Sequence, residues 1–304
     1  MKRSLLNILA PIDFSEAEKS ALRVAIDFCR QHNAVLHLLY VMESRYIITG
    51  SPRDVNTFEI SHTINERART CMYEKYETIL KEYKLAVQIH MPSGMPYDEI
   101  CSAADEIPTD LIVMGTRGIS GAKNSSAGSA TAGVIKNSTR PVLIVPAYFE
   151  AAVFREILFP VRPVKGVIDK YQFIQSFLRE VKSSVHIANL YLQSEVEERL
   201  IYNDNEQLFA MMPANNSANL TSLKKLYVCS NFATKVLELS KVFPIDFIII
   251  NSWLDYKGLD FSPGSYIQQI INLANIPVLS FPKEFNLFRK TRQINNLKLH
   301  PFNK

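Results

Sequence analysis

A loop in the first half of the chain spaces its glycines in a way that suits a phosphate. Two residues separate Gly115 from Gly118, and nine residues separate Gly118 from Gly128, which Ser129 follows. Glycines let a backbone approach a ligand closely, and a helix N-terminus presents free N–H groups with a positive dipole. The loop is therefore predicted to bind phosphates, with the Ser129 hydroxyl and the Arg117 cation able to contribute. A loop arginine can equally be solvated, and a lone GxxG would only make a turn.

Other candidate residues follow two apolar runs earlier in the chain. Pro11 and Ile12 end the first run, Asp13 comes directly after it, and Val41 ends the second. In an open α/β sheet the ligand lies beyond the carboxyl ends of the strands, where the strand order reverses. We expect backbone groups there to read the edge of a base, Val41 to form an apolar wall, and Asp13 to accept ribose hydroxyls. Asp13 beside Ser15 could also cap a helix, and the two roles are compatible.

Apolar runs alternate with helix signals through the first half. Ser15 and Glu18 have the spacing of a capping box that starts a helix. The predicted strands are residues 7–12, 34–41, 87–91, 110–114 and 141–145, and the later predicted helices are residues 56–82, 96–106 and 128–137. This βαβαβαβαβ order requires a mostly parallel sheet with helices on both faces, which is a doubly wound α/β domain.

The second half of the chain repeats this pattern. Residues 157–161, 185–192, 246–250 and 277–280 echo strands of the first half. The steps from Asp110 to Gly128 and on to Pro141 are 18 and 13 residues, and those from Asp246 to Gly264 and on to Pro277 are the same. Equal spacing of this kind indicates an internal repeat.

The repeat predicts two tandem domains and a tail. The length of 304 residues is about twice that of a usual ~150-residue domain. We place the domains at residues 1–148 and 153–283, each with a five-stranded sheet, and a basic tail at residues 284–304. The tail could be a docking arm, although a solvated or packed extension is the usual state of a charged terminus.

Composition argues against several classes of protein. The net charge of +4 comes from 34 basic and 30 acidic residues, too balanced to indicate nucleic-acid binding. No apolar run reaches the ~18 residues of a membrane span, and no signal-peptide cleavage site is evident. We therefore expect a soluble, cytoplasmic protein that binds neither nucleic acid nor membrane.

Cysteines and histidines give no pattern of a metal site. The cysteines are Cys29, Cys71, Cys101 and Cys229, without a CxxC pair, and they are expected to be reduced, buried thiols. The histidines on or beside predicted strands are His37, His90 and His186, none with a Cys, His or Asp partner at ligand spacing.

The loop spacing and its flanking strings resemble one known family. Gly115-x2-Gly118-x9-Gly128-Ser129, with Asp13, Val41 and the DLIVMG string before the loop, is similar to the ATP-binding signature of universal stress proteins. The resemblance spans residues 3–146 and implies a Rossmann-like, adenine nucleotide alpha hydrolase-like fold. It also implies ATP, AMP or ADP as ligand, possible Mg²⁺ through the phosphates, and a stress-response module with no catalytic or metal-ligating residues of its own. The implied binding residues are Ile12 and Val41 with the neighbouring Pro11 for adenine, Asp13 for ribose, and Gly115, Gly118, Gly128 and Ser129 for the phosphates. Met114, Arg117 and Ala130 complete the candidate nucleotide-binding residues.

The second half departs from this signature where binding would need it. Arg162 stands in place of Asp13, Asn251 in place of Gly115, and Leu254 in place of Gly118. Trp253 also replaces Arg117, whereas Gly264 and Ser265 keep the family's residues. We therefore expect ATP to bind in the first domain only, although Arg162 could meet another anion.

Two other classes of function compete with this one. A dedicated ATP-using enzyme on this fold would carry a HIGH or SGGxDS string, and neither occurs. Slow ATP hydrolysis stays open, although no base for the attacking water is evident. A structural interaction protein that binds no nucleotide is the third reading, and the glycine loop argues against it.

The resemblance also implies how chains pair. Single-domain members of the family pair through their last strands. Residues 141–145 and 277–281 could pair in the same way within one chain, giving an intramolecular pseudo-dimer. A homodimer of whole chains and an unidentified protein partner are further expectations.

Overall fold

The apolar runs of the sequence form the strands of one ten-stranded sheet. The computed structural model describes residues 5–43, 55–116, 129–150, 154–161, 170, 172–174, 183–192, 218–251, 266–282 and 285. Residues up to 146 are called the first half below, and residues from 154 onward the second half.

Elements of the first half follow the predicted order. Its strands are β1 (Asn7–Pro11), β2 (Val35–Leu39), β3 (Met42–Glu43), β4 (Val87–His90), β5 (Ser93–Gly94), β6 (Leu111–Gly115) and β7 (Val142–Val145). Its helices are α1 (Glu16–His32), α2 (Val55–Tyr83), α3 (Pro96–Glu106) and α4 (Ser129–Asn137). Strands β3 and β5 form a separate two-stranded sheet.

The second half has β8 (Glu156–Val161), β9 (Ser183–Leu192), β10 (Ala218–Cys229), α5 (Phe232–Val242), β11 (Phe247–Asn251), α6 (Tyr266–Leu273) and β12 (Val278–Phe281). Strand β10 corresponds to no strand predicted from the sequence, and it lies at one edge of the sheet.

The strand order is the same in both halves. The large sheet runs β10-β9-β8-β11-β12-β7-β6-β1-β2-β4, so each half contributes five strands in the same order about a central junction. Neighbours within a half are parallel, whereas β12 and β7 pair antiparallel with Leu279 opposite Leu143. The predicted doubly wound α/β fold and the predicted pairing of the last strands within one chain are both confirmed.

The hydrophobic core has one layer on each face of the sheet. One layer contains Leu36 of the first half and Ile157 of the second, and the other contains Ile112 and Ile248. Parallel strands are buried on both faces, which explains their nearly continuous apolar sequence. Since both layers cross the junction, the halves share their core.

Aspartates tie the amino ends of the strands in both halves. Asp110 accepts hydrogen bonds from the backbone N–H groups of Leu6 and Asn7, at 2.7 and 3.1 Å. Asp246 accepts the corresponding bonds from Arg155 and Glu156, at 2.8 and 3.1 Å. These bonds fix the start of the first strand of each half against the strand that follows the crossover.

Several details differ from the sequence predictions. Strand β2 ends at Leu39, so Val41 lies beyond it. The Ser15 side chain caps α1 as expected, but Glu18 accepts from the Phe14 N–H, which changes the capping box. Cys71 is exposed on α2, so the prediction of a buried thiol is wrong there. A helix buries only one face, and at this point the face belongs to its neighbour Met72.

Candidate functional site

A crevice opens between β1 and β6, where the strand order of the first half reverses. The chain passes from β1 to β2 on one side and later returns to β6 on the other. The two strands pair only at Ile8 with Leu111 and at Leu9 with Ile112, although they continue to Pro11 and Gly115. Their carboxyl ends therefore separate, which is the geometry of a ligand site in this class of sheet.

One wall of the crevice comes from the segment after β2. The Ile12 N–H donates to the Leu39 carbonyl at 2.8 Å, which is where pairing between β1 and this segment ends. The N–H groups of Tyr40 and Met42 donate to the carbonyls of His90 and Pro92, at 2.9 and 2.8 Å, and so point toward β4 and the residues after it. Peptide groups alternate sides along an extended chain, so those of Val41 point toward the space beyond Ile12. They can hydrogen-bond the edge of a planar ligand.

Asp13 lies at the mouth of this crevice and is half-buried. Its Oδ1 accepts a hydrogen bond at 3.0 Å from the N–H of Ser15, the N-cap residue of α1, so the carboxylate supports the turn that begins this helix. Within the part of the chain that the structure describes, no hydrogen bond to its other oxygen is recorded. One oxygen is thus held by the protein while the second can serve a ligand hydroxyl.

Gly115 is held tightly at the end of β6. A Cβ at this position would lie 2.7 Å from the carbonyl carbon of Ala17 and 2.8 Å from its Cβ, so only glycine fits against α1. The hydroxyl of Thr131, buried in α4, donates to the Gly115 carbonyl at 3.1 Å. This bond ties the two ends of the glycine loop together. Ala17 and Thr131 were not predicted, since nothing in their local spacing marks them.

Some of the residues predicted at and around the glycine loop are described in the structure and others are not. Met114 is buried under the crevice, and Ala130 lies in the first turn of α4, which begins at Ser129. Arg117, Gly118 and Gly128 lie outside the described residues. The structure thus brings Pro11, Ile12, Asp13, Val41, Met114 and Gly115 to one edge of the sheet, with a helix start nearby.

The second half forms a comparable crevice between β8 and β11. These strands pair at Ile157 with Phe247 and at Leu158 with Ile248, then separate as their counterparts do. Asn251 ends β11, and its Oδ1 is buried without a hydrogen-bond partner among the described residues. The Tyr266 hydroxyl donates to the Asn251 carbonyl, as Thr131 does to Gly115. The substituted positions Arg162, Trp253 and Leu254, and the retained Gly264 and Ser265, lie outside the described part.

A histidine pair that the sequence did not predict lies in the first half. His37 Nε2 is 3.0 Å from Asn7 Oδ1, and His37 Nδ1 is 3.0 Å from His90 Nε2. The Asn7 amide donates to the Pro108 carbonyl, so its oxygen is the acceptor and His37 is protonated on Nε2. Burial, and secondarily His90, lowers the pKa of His37 to about 4.

The described residues contain neither a metal cluster nor a membrane-spanning helix. Across the described ranges, no three His, Cys, Asp or Glu side chains come together as metal ligands would. No helix within the same ranges combines the length and apolarity needed to cross a bilayer. All four cysteines are free.

Known proteins resemble this chain in sequence and in fold. The Universal stress protein family model matches residues 5–146. The chain is 30% identical over 138 residues to universal stress protein MJ0531 of Methanocaldococcus jannaschii, covering 45% of this chain and 80% of that protein. It is 31% identical over 151 residues to MJ0577 of the same organism, covering 45% and 93%. The corresponding figures for universal stress protein YxiE of Bacillus subtilis are 31% over 144 residues, 45% and 97%.

The likeness in fold extends over both halves. A universal stress protein from Archaeoglobus fulgidus superposes with a TM-score of 0.64 at 17% identity, covering 91% of this chain and 96% of that one. At this identity the match shows the fold alone. The sequence matches also show the family, because they reach at least 30% identity and span at least 80% of each relative named above. The chain belongs to the universal stress protein family.

Proposed function

We propose that this protein is a cytoplasmic, ATP-binding regulatory module of the stress response, with one adenine nucleotide held in its first half. The observation that carries the proposal is the crevice between β1 and β6. Its walls end in Asp13 and Gly115, and the Thr131 hydroxyl ties together the two ends of the glycine loop that leaves it. AMP or ADP would fit the same arrangement.

Each part of a nucleotide has a group to meet it. The adenine edge would hydrogen-bond the peptide groups of Val41, with Pro11 and Ile12 beneath the ring. Asp13 would accept the ribose hydroxyls through the oxygen that is not bonded to the Ser15 N–H. The phosphates would lie at the glycine loop and the start of α4, where N–H groups and the helix dipole favour an anion. A Mg²⁺ ion, if bound, would be held through the phosphates.

The second half would leave ATP unbound. Asn251 occupies the position that glycine must hold in the first half, and Arg162 replaces the ribose acceptor. We divide the chain into an ATP-binding domain (residues 1–148), a degenerate domain (153–283) and a basic tail (284–304). The degenerate domain would act as a built-in partner that covers the β7 edge, and whole chains would form a further homodimer.

We further propose that the nucleotide acts as a signal rather than as a substrate. Occupancy of the crevice would bias the structure toward binding a protein partner, and hydrolysis would be slow at most. Small effector ligands shift such equilibria only through different affinities for the two states.

Calorimetric titration of nucleotide-free protein with Mg·ATP tests the proposal. We expect one site per chain, with its affinity for ATP weakened roughly tenfold in Asp13→Ala and unchanged in Arg162→Ala, the matched change in the second half. Two sites in the wild type would contradict the degenerate second domain. No binding at all would favour the interaction-only class of protein.

A further inference from the structure

A buried ion pair lies directly behind the Asp13 turn. Glu18, on the first turn of α1, has a side chain only 3% exposed. Its carboxylate is 3.0 Å from the Lys75 ammonium of α2 and accepts the Phe14 N–H at 2.8 Å. Burial raises the pKa of Glu18, while Lys75 opposes the rise. Buried charges of this kind require partners, and Lys75, on another helix, is the charged one.

The same turn holds Phe14 in an unusual backbone conformation. Its φ is 60°, in the left-handed region that non-glycine residues seldom adopt. The Phe14 ring packs against Tyr40, with centroids 5.5 Å apart, and the Lys75 ammonium lies 5.7 Å from the ring centroid. Such a conformation persists only where surrounding contacts hold it. Glu18 and Lys75 supply two of those contacts.

The Glu18–Lys75 ion pair also determines which backbone N–H group each nearby carboxylate accepts. In an ordinary capping box, Glu18 would accept from the N–H of Ser15, the N-cap residue. Here Glu18 binds the Phe14 N–H instead, and Asp13 Oδ1 accepts the Ser15 N–H at 3.0 Å. The orientation of Asp13 is therefore tied to the position of Glu18.

We propose that Glu18 and Lys75 are positioning residues that hold Asp13 in the orientation needed to accept ribose hydroxyls. This inference rests on the proposed nucleotide site and extends it to a long helix outside the crevice. Neither residue would contact the ligand. The ion pair with Lys75 holds the Glu18 carboxylate at the Phe14 N–H, and the Ser15 N–H therefore bonds Asp13 Oδ1 instead. Displacement of α2 would thereby change the affinity for ribose-containing ligands.

The test compares binding of Mg·ATP with binding of Mg·2′,3′-dideoxyATP by calorimetry. The second ligand keeps the base and phosphates but lacks the hydroxyls that Asp13 would accept. A hydrogen bond to a charged group corresponds to roughly tenfold or more in affinity, so we expect the wild type to prefer ATP by about that factor. Asp13→Ala is the reference variant and should bind both ligands about equally.

We expect Glu18→Leu and Lys75→Met to lose most of this preference while binding dideoxyATP as the wild type does. Glu18→Gln, which keeps an acceptor for the Phe14 N–H, should restore most of it. Glu16→Gln is the matched control, because Glu16 pairs with Lys19 on the exposed face of the same helix and should leave the preference unchanged.

Circular dichroism establishes that each variant is folded. If Glu18→Leu does not fold, Lys75→Met tests the positioning role by itself. The Lys75 side chain is 26% exposed, and this change removes only the ammonium end. A full preference for ATP in folded Glu18→Leu or Lys75→Met would overturn the positioning role alone. A wild type that binds ATP without preferring it, or does not bind it, would overturn the ribose assignment of Asp13 and this inference with it.

Discussion

The two halves of the molecule agree at the amino ends of their strands and differ at the carboxyl ends. At the amino ends, Asp110 and Asp246 each accept two backbone N–H groups from the start of the first strand of their half. At the carboxyl ends, Gly115 of the first half corresponds to Asn251 of the second, and Asp13 to Arg162. Bonds that hold the fold are retained, whereas groups that would hold a nucleotide are not.

The comparison separates the residues that the fold requires from those that a nucleotide would require. A single domain would not allow this distinction. An aspartate at the amino edge stabilises the sheet whether or not a ligand is present, so both halves need one. A glycine at the carboxyl edge is needed only where a helix and a ligand must both come close. The second half can therefore lack the groups that a nucleotide would need while continuing to cover β7 and to complete the core.

Two histidines at equivalent positions extend the comparison. His37 bonds through Nε2 to Asn7 in the first half, and His186 bonds through Nε2 to Glu156 in the second, at 3.0 and 2.6 Å. The position is the same, but the acceptor is a neutral amide in one half and a carboxylate in the other. The surroundings of His37 should decide how acid affects the first half.

The largest expected effect comes from removing the amino-edge aspartates. We expect Asp110→Ala to lower the free energy of unfolding by about 4 kcal/mol, because two partly buried amides lose a charged acceptor. Asp246→Ala should cost about 2–3 kcal/mol, since Asp246 is more exposed and water can replace part of the loss. Urea unfolding measures both, with the exposed Glu77→Ala as control. No loss in Asp246→Ala would mean that the second half does not depend on these bonds.

Acidification gives the next effect, through His37. Its pKa is lowered to about 4 from an ordinary 6.5, so the folded state takes up the proton less readily than the unfolded chain does. Stability is thus full above pH 6.5 and falls as the pH drops toward 4, by on the order of 3 kcal/mol from this group. His90, whose pKa is also lowered, and nearby Glu106 share the site.

Asn7→Glu would give His37 the carboxylate that His186 has. We expect the pKa of His37 to rise and the loss of stability on acidification to shrink. Urea unfolding at pH 7.5 and pH 5 compares the variant with wild type and with His37→Gln, which cannot titrate. An unchanged pH slope in His37→Gln would remove His37 as the source of the effect.

Exchanging the residues at the carboxyl edge should have an intermediate effect. In Gly115→Asn the new side chain meets the Ala17 backbone, so we expect a loss of about 2 kcal/mol in unfolding free energy and loss of ATP binding. Asn251→Gly, the reverse exchange, should change stability far less and create no second ATP site, because Arg162 and Leu254 remain. Calorimetry that found a second site in Asn251→Gly would show that Asn251 alone blocks the second half.

Much of the fold could be predicted because parallel strands buried on both faces leave nearly continuous apolar runs. The runs that became β6 and β11 are clear examples. Strand β10 gave no such signal: its sequence carries Lys224 and Lys225, which an edge strand tolerates. The position of the crevice followed from the strand order alone, once β1 and β6 were recognised.

The side-chain partners around the site could not be predicted. Glu18 and Lys75 lie 57 residues apart, and His37 and His90 lie 53 apart, so no local spacing joins them. The capping-box pattern at Ser15 and Glu18 even suggested a different bond for Glu18. Tertiary contact with α2 overrode the local preference, and only the packed structure contains that information.

The smallest effect concerns the helix caps, which both halves have, although we propose a ligand for the first half only. Ser15 caps α1 by accepting the Glu18 N–H at 3.2 Å, and Asn231 caps α5 by accepting the Thr234 N–H at 3.0 Å. We expect Ser15→Ala and Asn231→Ala each to cost about 1 kcal/mol in unfolding free energy. Because α5 belongs to the half that we propose binds no nucleotide, Asn231→Ala should leave the ATP affinity of the chain unchanged. A fall in ATP affinity on Asn231→Ala would show that the halves communicate across the β7–β12 junction, and the separation of fold from site would then be incomplete.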